Sequence, residues 1–161
     1  VALAAQLRSL FGQILVHFGK FEEAETNLKQ SLSVAEHTGD TVTQGLTLAN
    51  YADLYLAEGK QEEALKAVRE GLKVVAKTGD KRTEGQLHLT RASVQEARKD
   101  AGAAEGDFKQ ALTIFQQTED ADLIGRAHEK YGKFLADQGR FQEAYEQMHQ
   151  ARSAHLRRNQ N

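Results

Sequence analysis

Neither cysteine nor proline occurs anywhere in the 161-residue chain. The first absence excludes disulfides and thiol chemistry and fits a reducing compartment. The second removes the strongest helix breaker, so turns fall to Gly, Asp and Asn, and glycine appears 13 times. No apolar run approaches the ~20 residues needed to span a bilayer, and no basic-then-apolar leader opens the chain. A dominant charge is missing too. With 21 Lys and Arg against 23 Asp and Glu the net charge is −2, which argues against direct nucleic-acid binding and its basic excess. The catalytic signatures HExxH, a Gly-rich phosphate loop and a nucleophile elbow do not occur. The first residue is Val1 rather than methionine, and the chain reads as a fragment cut from a longer protein.

What the chain does have is an internal repeat. "FEEAETNLKQSLSVAEHTGD" at 21–40 returns as "QEEALKAVREGLKVVAKTGD" at 61–80, an offset of 40. The same step carries Ala24 to Ala64, Ala104 and Ala144, Leu32 to Leu72 and Leu112, and Asp40 to Asp80 and Asp120. Gly19 maps to Gly59, fails at Lys99 and returns as Gly139. Four units follow, at about 1–40, 41–80, 81–120 and 121–161, in a single repeat domain. Each unit reads as two helices. In the second, Leu48, Tyr51, Ala52 and Tyr55 recur at helical spacing. Gly59 supplies a left-handed C-terminal cap. A second helix over 61–77 then places Ala64, Ala67, Val68, Leu72 and Val75 on one face. Asp80 is placed to accept hydrogen bonds from the free N–H groups of the next helix. Glu22, Glu23, Glu62 and Glu63 are first-turn acids favoured by the helix dipole. One hairpin alone is marginal, whereas stacked hairpins bury a continuous core.

Phe11-Gly12, Leu15, Ala24 and Leu28 in the first unit, Leu48, Tyr51-Ala52, Tyr55, Ala64 and Val68 in the second, and Tyr131-Gly132, Leu135, Ala144 and Met148 in the fourth follow one pattern of large and small residues. That pattern resembles the tetratricopeptide repeat family. The resemblance implies an all-α solenoid of four helix-turn-helix repeats winding into a right-handed superhelix, a non-enzymatic protein-binding module without cofactor or metal. The period of 40 exceeds the family's usual ~34, adding roughly 9 Å of helix per unit, and the proline that normally closes the unit is missing. Such long, proline-free repeats resemble those flanking bacterial signalling and transcription-control domains, which implies a cytoplasmic location.

In this family the first helices line the concave surface. Carried onto this sequence, the inward positions are Gln6, Ser9 and Gln13, then Leu46, Asn50 and Asp53, then Gln86, Thr90 and Ser93, then Arg126, Lys130 and Lys133. The groove is therefore polar-neutral at its start and positive at its end, where Arg126, Lys130 and Lys133 share one helix face. Some family members clamp a C-terminal carboxylate with Lys, Asn and Arg from three repeats. Only Asn50 matches that set here, so the resemblance implies a peptide or protein segment in the groove rather than a full carboxylate clamp. The alternative is a sensory or regulatory segment of a larger signalling or transcription protein.

Four features stand apart. The third unit carries His88, Arg91 and Gln95 where apolar residues usually sit. It reads as a degenerate repeat in which Leu87, Leu89 and Val94 take over through a rotated helix and Arg91 snorkels or pairs with a neighbouring carboxylate, or as a local polar seam that takes a ligand or partner. His88 and His128 occupy equivalent positions with no acid obviously beside them. The end repeats leave Leu7, Leu10 and Ile14 as candidates for self-association into a homodimer. The segment from Ala151 to Arg158 grows basic, residues 121–161 holding 7 Lys and Arg against 5 Asp and Glu, whereas 1–40 hold 3 against 5. It reads as a helix C-terminus, or as a helix running on into a further domain.

Overall fold

The fold was obtained as a computed structural model, in which residues 2–158 are described; Val1 and residues 159–161, assigned above to the first and fourth units, lie outside it. Eight helices follow one another with no strand among the described residues: α1 (Ala2–His17), α2 (Phe21–Thr38), α3 (Thr41–Ala57), α4 (Gln61–Val75), α5 (Lys81–Ala97), α6 (Ala101–Gln116), α7 (Ala121–Asp137) and α8 (Phe141–Arg158). They pair as four antiparallel hairpins stacked side by side into an α-solenoid, with the odd helices forming one layer and the even helices the other.

The turns explain the regularity. Every twenty residues one position takes a left-handed backbone: Gly19, Gly39, Gly59, Gly79, Lys99, Glu119 and Gly139. The N–H of the following residue often reaches back five positions, as from Lys60 to the Tyr55 carbonyl at 2.7 Å and from Arg140 to that of Leu135 at 2.9 Å. These are the bonds that satisfy the last carbonyls of a helix. Lys99 obeys the same geometry with φ 63° despite its side chain. Asp40, Asp80, Asp100 and Asp120 then cap the next helix, Asp40 accepting from the Thr43 N–H at 3.0 Å and Asp120 from those of Asp122 and Leu123. At Lys20 and Lys60 no side chain caps the helix, and the first-turn acids supply the favourable charge instead. The fourth helix stops at Val75 rather than running to residue 77, because Lys77 and Thr78 bond three residues back and tighten the turn.

Small residues set the spacing inside the layers. Ala5, Gly45, Gly85 and Gly125 occupy one register, and an added Cβ at the three glycines would strike Val75, Phe115 and His155, residues that themselves lie forty apart. The core between the layers thickens toward the C-terminal half. Phe108, fully buried on α6, stacks on Tyr131 at 5.6 Å and meets Phe134 at 5.2 Å between ring centres. In the inner layer α1 lies along α3 and α3 along α5, but α5 and α7 meet over only a short stretch. The fourth hairpin is therefore carried mainly by α6.

The third unit is not rotated. Leu87, Leu89 and Val94 are buried, but so are their counterparts Thr47, Ala49 and Leu54 in the second unit, and His88 is buried where Leu48 is. The helix keeps its register, and the polar residues are accommodated by a partner on α6.

Candidate functional site

The odd helices face one concavity of about 380 Å³. From α1 come Gln6, Ser9, Leu10 and Gln13; from α3, Thr43, Leu46, Ala49 and Asn50; Gln86 and Arg126 reach in from α5 and α7. Gln6, Leu46, Gln86 and Arg126 form one row at forty-residue spacing, so residues distant in sequence meet because each repeat presents the same helical face. Of the positions expected to bind, Gln6, Ser9, Gln13, Leu46, Asn50, Gln86 and Arg126 line this concavity, while Asp53, Thr90, Ser93, Lys130 and Lys133 do not. Leu10, Thr43 and Ala49 were not anticipated. Leu10 could have been found from the period alone, since Asn50, Thr90 and Lys130 count back to it, whereas Ser9 counts forward to Ala49, Leu89 and Glu129.

Three of the expected positions are buried: Ser9, Asn50 and Thr90. The Asn50 amide donates to the Ser9 hydroxyl at 2.9 Å and to the Ser9 carbonyl at 3.1 Å, and the Thr47 hydroxyl donates to Ser9 Oγ at 3.1 Å. Ser31 Oγ lies 3.0 Å from Thr47 Oγ1 and donates to the Ala5 carbonyl at 2.7 Å. This hydroxyl chain ties the first two hairpins together through partners already satisfied.

The inner wall carries opposed charges. Arg126, Lys130 and Lys133 are exposed on α7 and have no hydrogen-bonded or ion-paired partner among the described residues. Across from them burial pushes the Asp53 carboxyl up to about 6, with the Lys130 ammonium pulling the other way. Glu96 is raised as well, by burial first and by the charge of Asp137, against Lys133 and Lys130. The cations thus share their wall with carboxyls that are themselves reluctant to ionise.

The polar residues of the third unit form a closed set outside this wall. Asp107 on α6 accepts from Arg91 Nε at 2.9 Å and Arg91 Nη2 at 2.6 Å, and lies 2.9 Å from His88 Nδ1. Burial works to raise the Asp107 carboxyl, but the hydrogen bonds from His88 and Arg91 and their charge outweigh it and hold the carboxyl below its ordinary value. Arg91 is thus paired, as the sequence suggested, and His88 does have an acid beside it, contrary to the expectation. The signal lay nineteen residues downstream. His128 repeats the geometry with Gln147 Oε1 at 2.7 Å from Nδ1, also nineteen residues on.

Residues 3–77 match the model of the family described as tetratricopeptide repeat. No curated protein matches the sequence. Among solved structures, BtubC (BKLC) from P. vanneervenii superposes with a TM-score of 0.75 at 16% identity, over 96% of this chain and 64% of that one. A signal transduction ATPase with numerous domains, carrying a tetratricopeptide repeat sensor, from Pyrococcus horikoshii gives 0.73 at 18% identity, over 96% of this chain and 24% of the other. The apo form of RapI gives 0.75 at 12% identity, over 95% and 43%. The likeness is one of fold, and the chain spans less than two thirds of each of these proteins.

Proposed function

We propose that residues 3–77 and the two hairpins after them act together as a protein-interaction module that binds an extended, acidic peptide segment along the inner wall. One observation carries this reading: side chains from all four inner helices converge on a single concavity that ends in Arg126, beyond which Lys130 and Lys133 continue along α7. Asp53 and Glu96, whose carboxyls burial raises, balance Lys130 and Lys133 only in part, and an anionic guest relieves the remaining repulsion within the row. Gln6, Gln13 and Gln86 offer both donors and acceptors to a peptide backbone, while Leu10 and Leu46 give it an apolar floor.

A second reading is favoured by the short contact between α5 and α7. A guest that bridges those helices changes the angle of the last hairpin, which suits a sensory or regulatory segment of a larger protein; one structural neighbour contains a repeat sensor of this fold.

The test is peptide selection on the immobilised chain, followed by affinity measurement on the Arg126→Glu, Lys130→Glu double variant. Selected peptides are expected to be acidic and to lose at least ~10-fold in affinity, since two charge-assisted contacts contribute about 1.5 kcal/mol or more. Helicity by circular dichroism is expected to stay unchanged. Peptides that bind the double variant equally well would move the site off this wall.

A further inference from the structure

The even helices pack on the odd ones rather than on one another, which leaves an outer groove between each neighbouring pair. Two of these grooves hold a guanidinium. Between α4 and α6, Arg91 of α5 donates to Asp107 of α6 at 2.6 Å. Between α6 and α8, Arg140 donates to Glu105 at 2.6 Å and to Glu143 at 2.7 Å, and the Tyr131 hydroxyl donates to Glu105. Between α2 and α4 there is instead a concavity of about 450 Å³, with Glu25, Tyr51, Tyr55 and Glu63 in its lining and no arginine.

Counting eighty residues on converts Glu25, Lys29, Tyr51, Lys60 and Glu63 into Glu105, Lys109, Tyr131, Arg140 and Glu143. The open groove thus keeps the two carboxylates and the phenol that hold Arg140, but its own cation is diverted. Lys60 bonds to Glu58 at 3.0 Å, where the fourth unit has Gln138. Glu25 and Glu63 have no hydrogen bond or ion pair among the described residues. Tyr51 and Tyr55 stack with ring centres 5.8 Å apart, and the Lys60 ammonium already stands 6.0 Å from the Tyr55 ring centre. Burial pushes the Tyr51 phenol up to about 12, with Tyr55 and then Glu25 adding to the effect, so the field of Glu25 reaches this wall. Glu25, Glu63 and Glu70 face the ammonium groups of Lys29 and Lys66 around the groove, and one further positive charge balances the set. We propose that this groove takes the arginine side chain of a partner protein, its guanidinium lying on the Tyr51–Tyr55 wall and its N–H groups donating to Glu25 and Glu63. A planar guanidinium stacks on an aromatic face and engages two carboxylates at once, which an ammonium does less well. The groove lies in the outer layer and does not rest on the peptide reading of the inner wall.

The experiment is an NMR titration of the whole chain, reading the tyrosine ring signals. The probe is arginine capped at both ends, compared with capped lysine and with capped citrulline, its neutral isostere. Arginine is expected to shift the Tyr51 and Tyr55 signals to saturation, with lysine weaker and citrulline weaker by ~10-fold or more. Glu25→Gln with Glu63→Gln alters only exposed residues and is expected to lower arginine affinity by ~10-fold or more. Glu58→Gln with Lys60→Arg copies the fourth unit and is expected to seat its own guanidinium in the groove, abolishing capture of the probe. Two controls are expected to bind arginine as the wild type does: Glu22→Gln with Glu23→Gln, an equal change of net charge outside the groove, and the inner-wall pair Arg126→Glu with Lys130→Glu. Lysine or citrulline binding as tightly as arginine, ring signals that do not move, full affinity in either groove variant, or an equal loss in either control overturns the proposal.

Discussion

A hydrogen atom at Gly85 is what lets α5 lie against Phe115. An added Cβ there would stand 2.4 Å from Phe115 Cε1, and that ring, fully buried, has nowhere to go. Gly85→Ala is expected to destabilise the chain by about 1–3 kcal/mol, the usual cost of overpacking. Gly106 is the control: it lies inside α6, exposed, with nothing within 4 Å of an added Cβ. Gly106→Ala is expected to stabilise by about 0.5–1 kcal/mol through helix propensity. Denaturant melts of the two variants read both signs in one experiment. The period of forty identifies Gly45, Gly85 and Gly125 as equivalent, but nothing in one helix announces which of the residues thirty positions on will press against them.

At the scale of a helix pair, the trio of His88, Arg91 and Asp107 is the place where the third hairpin departs from the second. The second unit places Leu48, Tyr51 and Ala67 at those positions, where they line one surface concavity. Asp107→Ala leaves a guanidinium and an imidazole facing each other in a half-buried seam and is expected to cost about 2–4 kcal/mol. The triple replacement His88→Leu, Arg91→Tyr, Asp107→Ala, which copies the second unit, is expected to recover most of that loss, because an apolar set of matched shape dispenses with desolvating the ions. Thermal unfolding of the single and triple variants checks the order. Capping aspartates, turn glycines and the apolar stripes were all legible in the sequence, since each acts within a few residues of itself. Asp107 was not, because its partners stand across the hairpin, and the pattern of α5 taken alone suggested a rotated helix that packing does not adopt.

For the molecule as a whole, acid has two opposite effects. Asp53 is raised from 3.8 to about 6 by burial, so its contribution to stability is fully present below pH 3.8 and is lost as pH rises through about 6. Glu96 acts in the same direction. Glu105 is held down to about 2 by Arg140 and Lys109, with Tyr131 adding a further hydrogen bond; its contribution is present above 4.5 and is lost as pH falls toward 2. Stability is therefore expected to peak near pH 5, and Asp53→Asn to flatten the decline between pH 5 and 7.5, worth on the order of 1–2 kcal/mol. Urea midpoints across that range measure it. The stacked architecture was readable from period and pattern, as were Leu7, Leu10 and Ile14 at one end. Asp53 was also read as an inward position, but its interaction with Lys130, and the approach of Glu96 to Lys130 and Lys133, were not, because they join residues of different repeats that meet only in the stack.

The uneven inner layer has one more consequence. Because α7 leans on α6 and barely on α5, the last hairpin resembles the moving arm of a calliper whose pin is the Phe108–Tyr131 stack. On the proposed function, a guest gripped between Gln86 and Arg126 would fix the opening of that arm. The tip of the arm is α8, so on that reading whatever fills the jaw would also set the angle at which α8 is held.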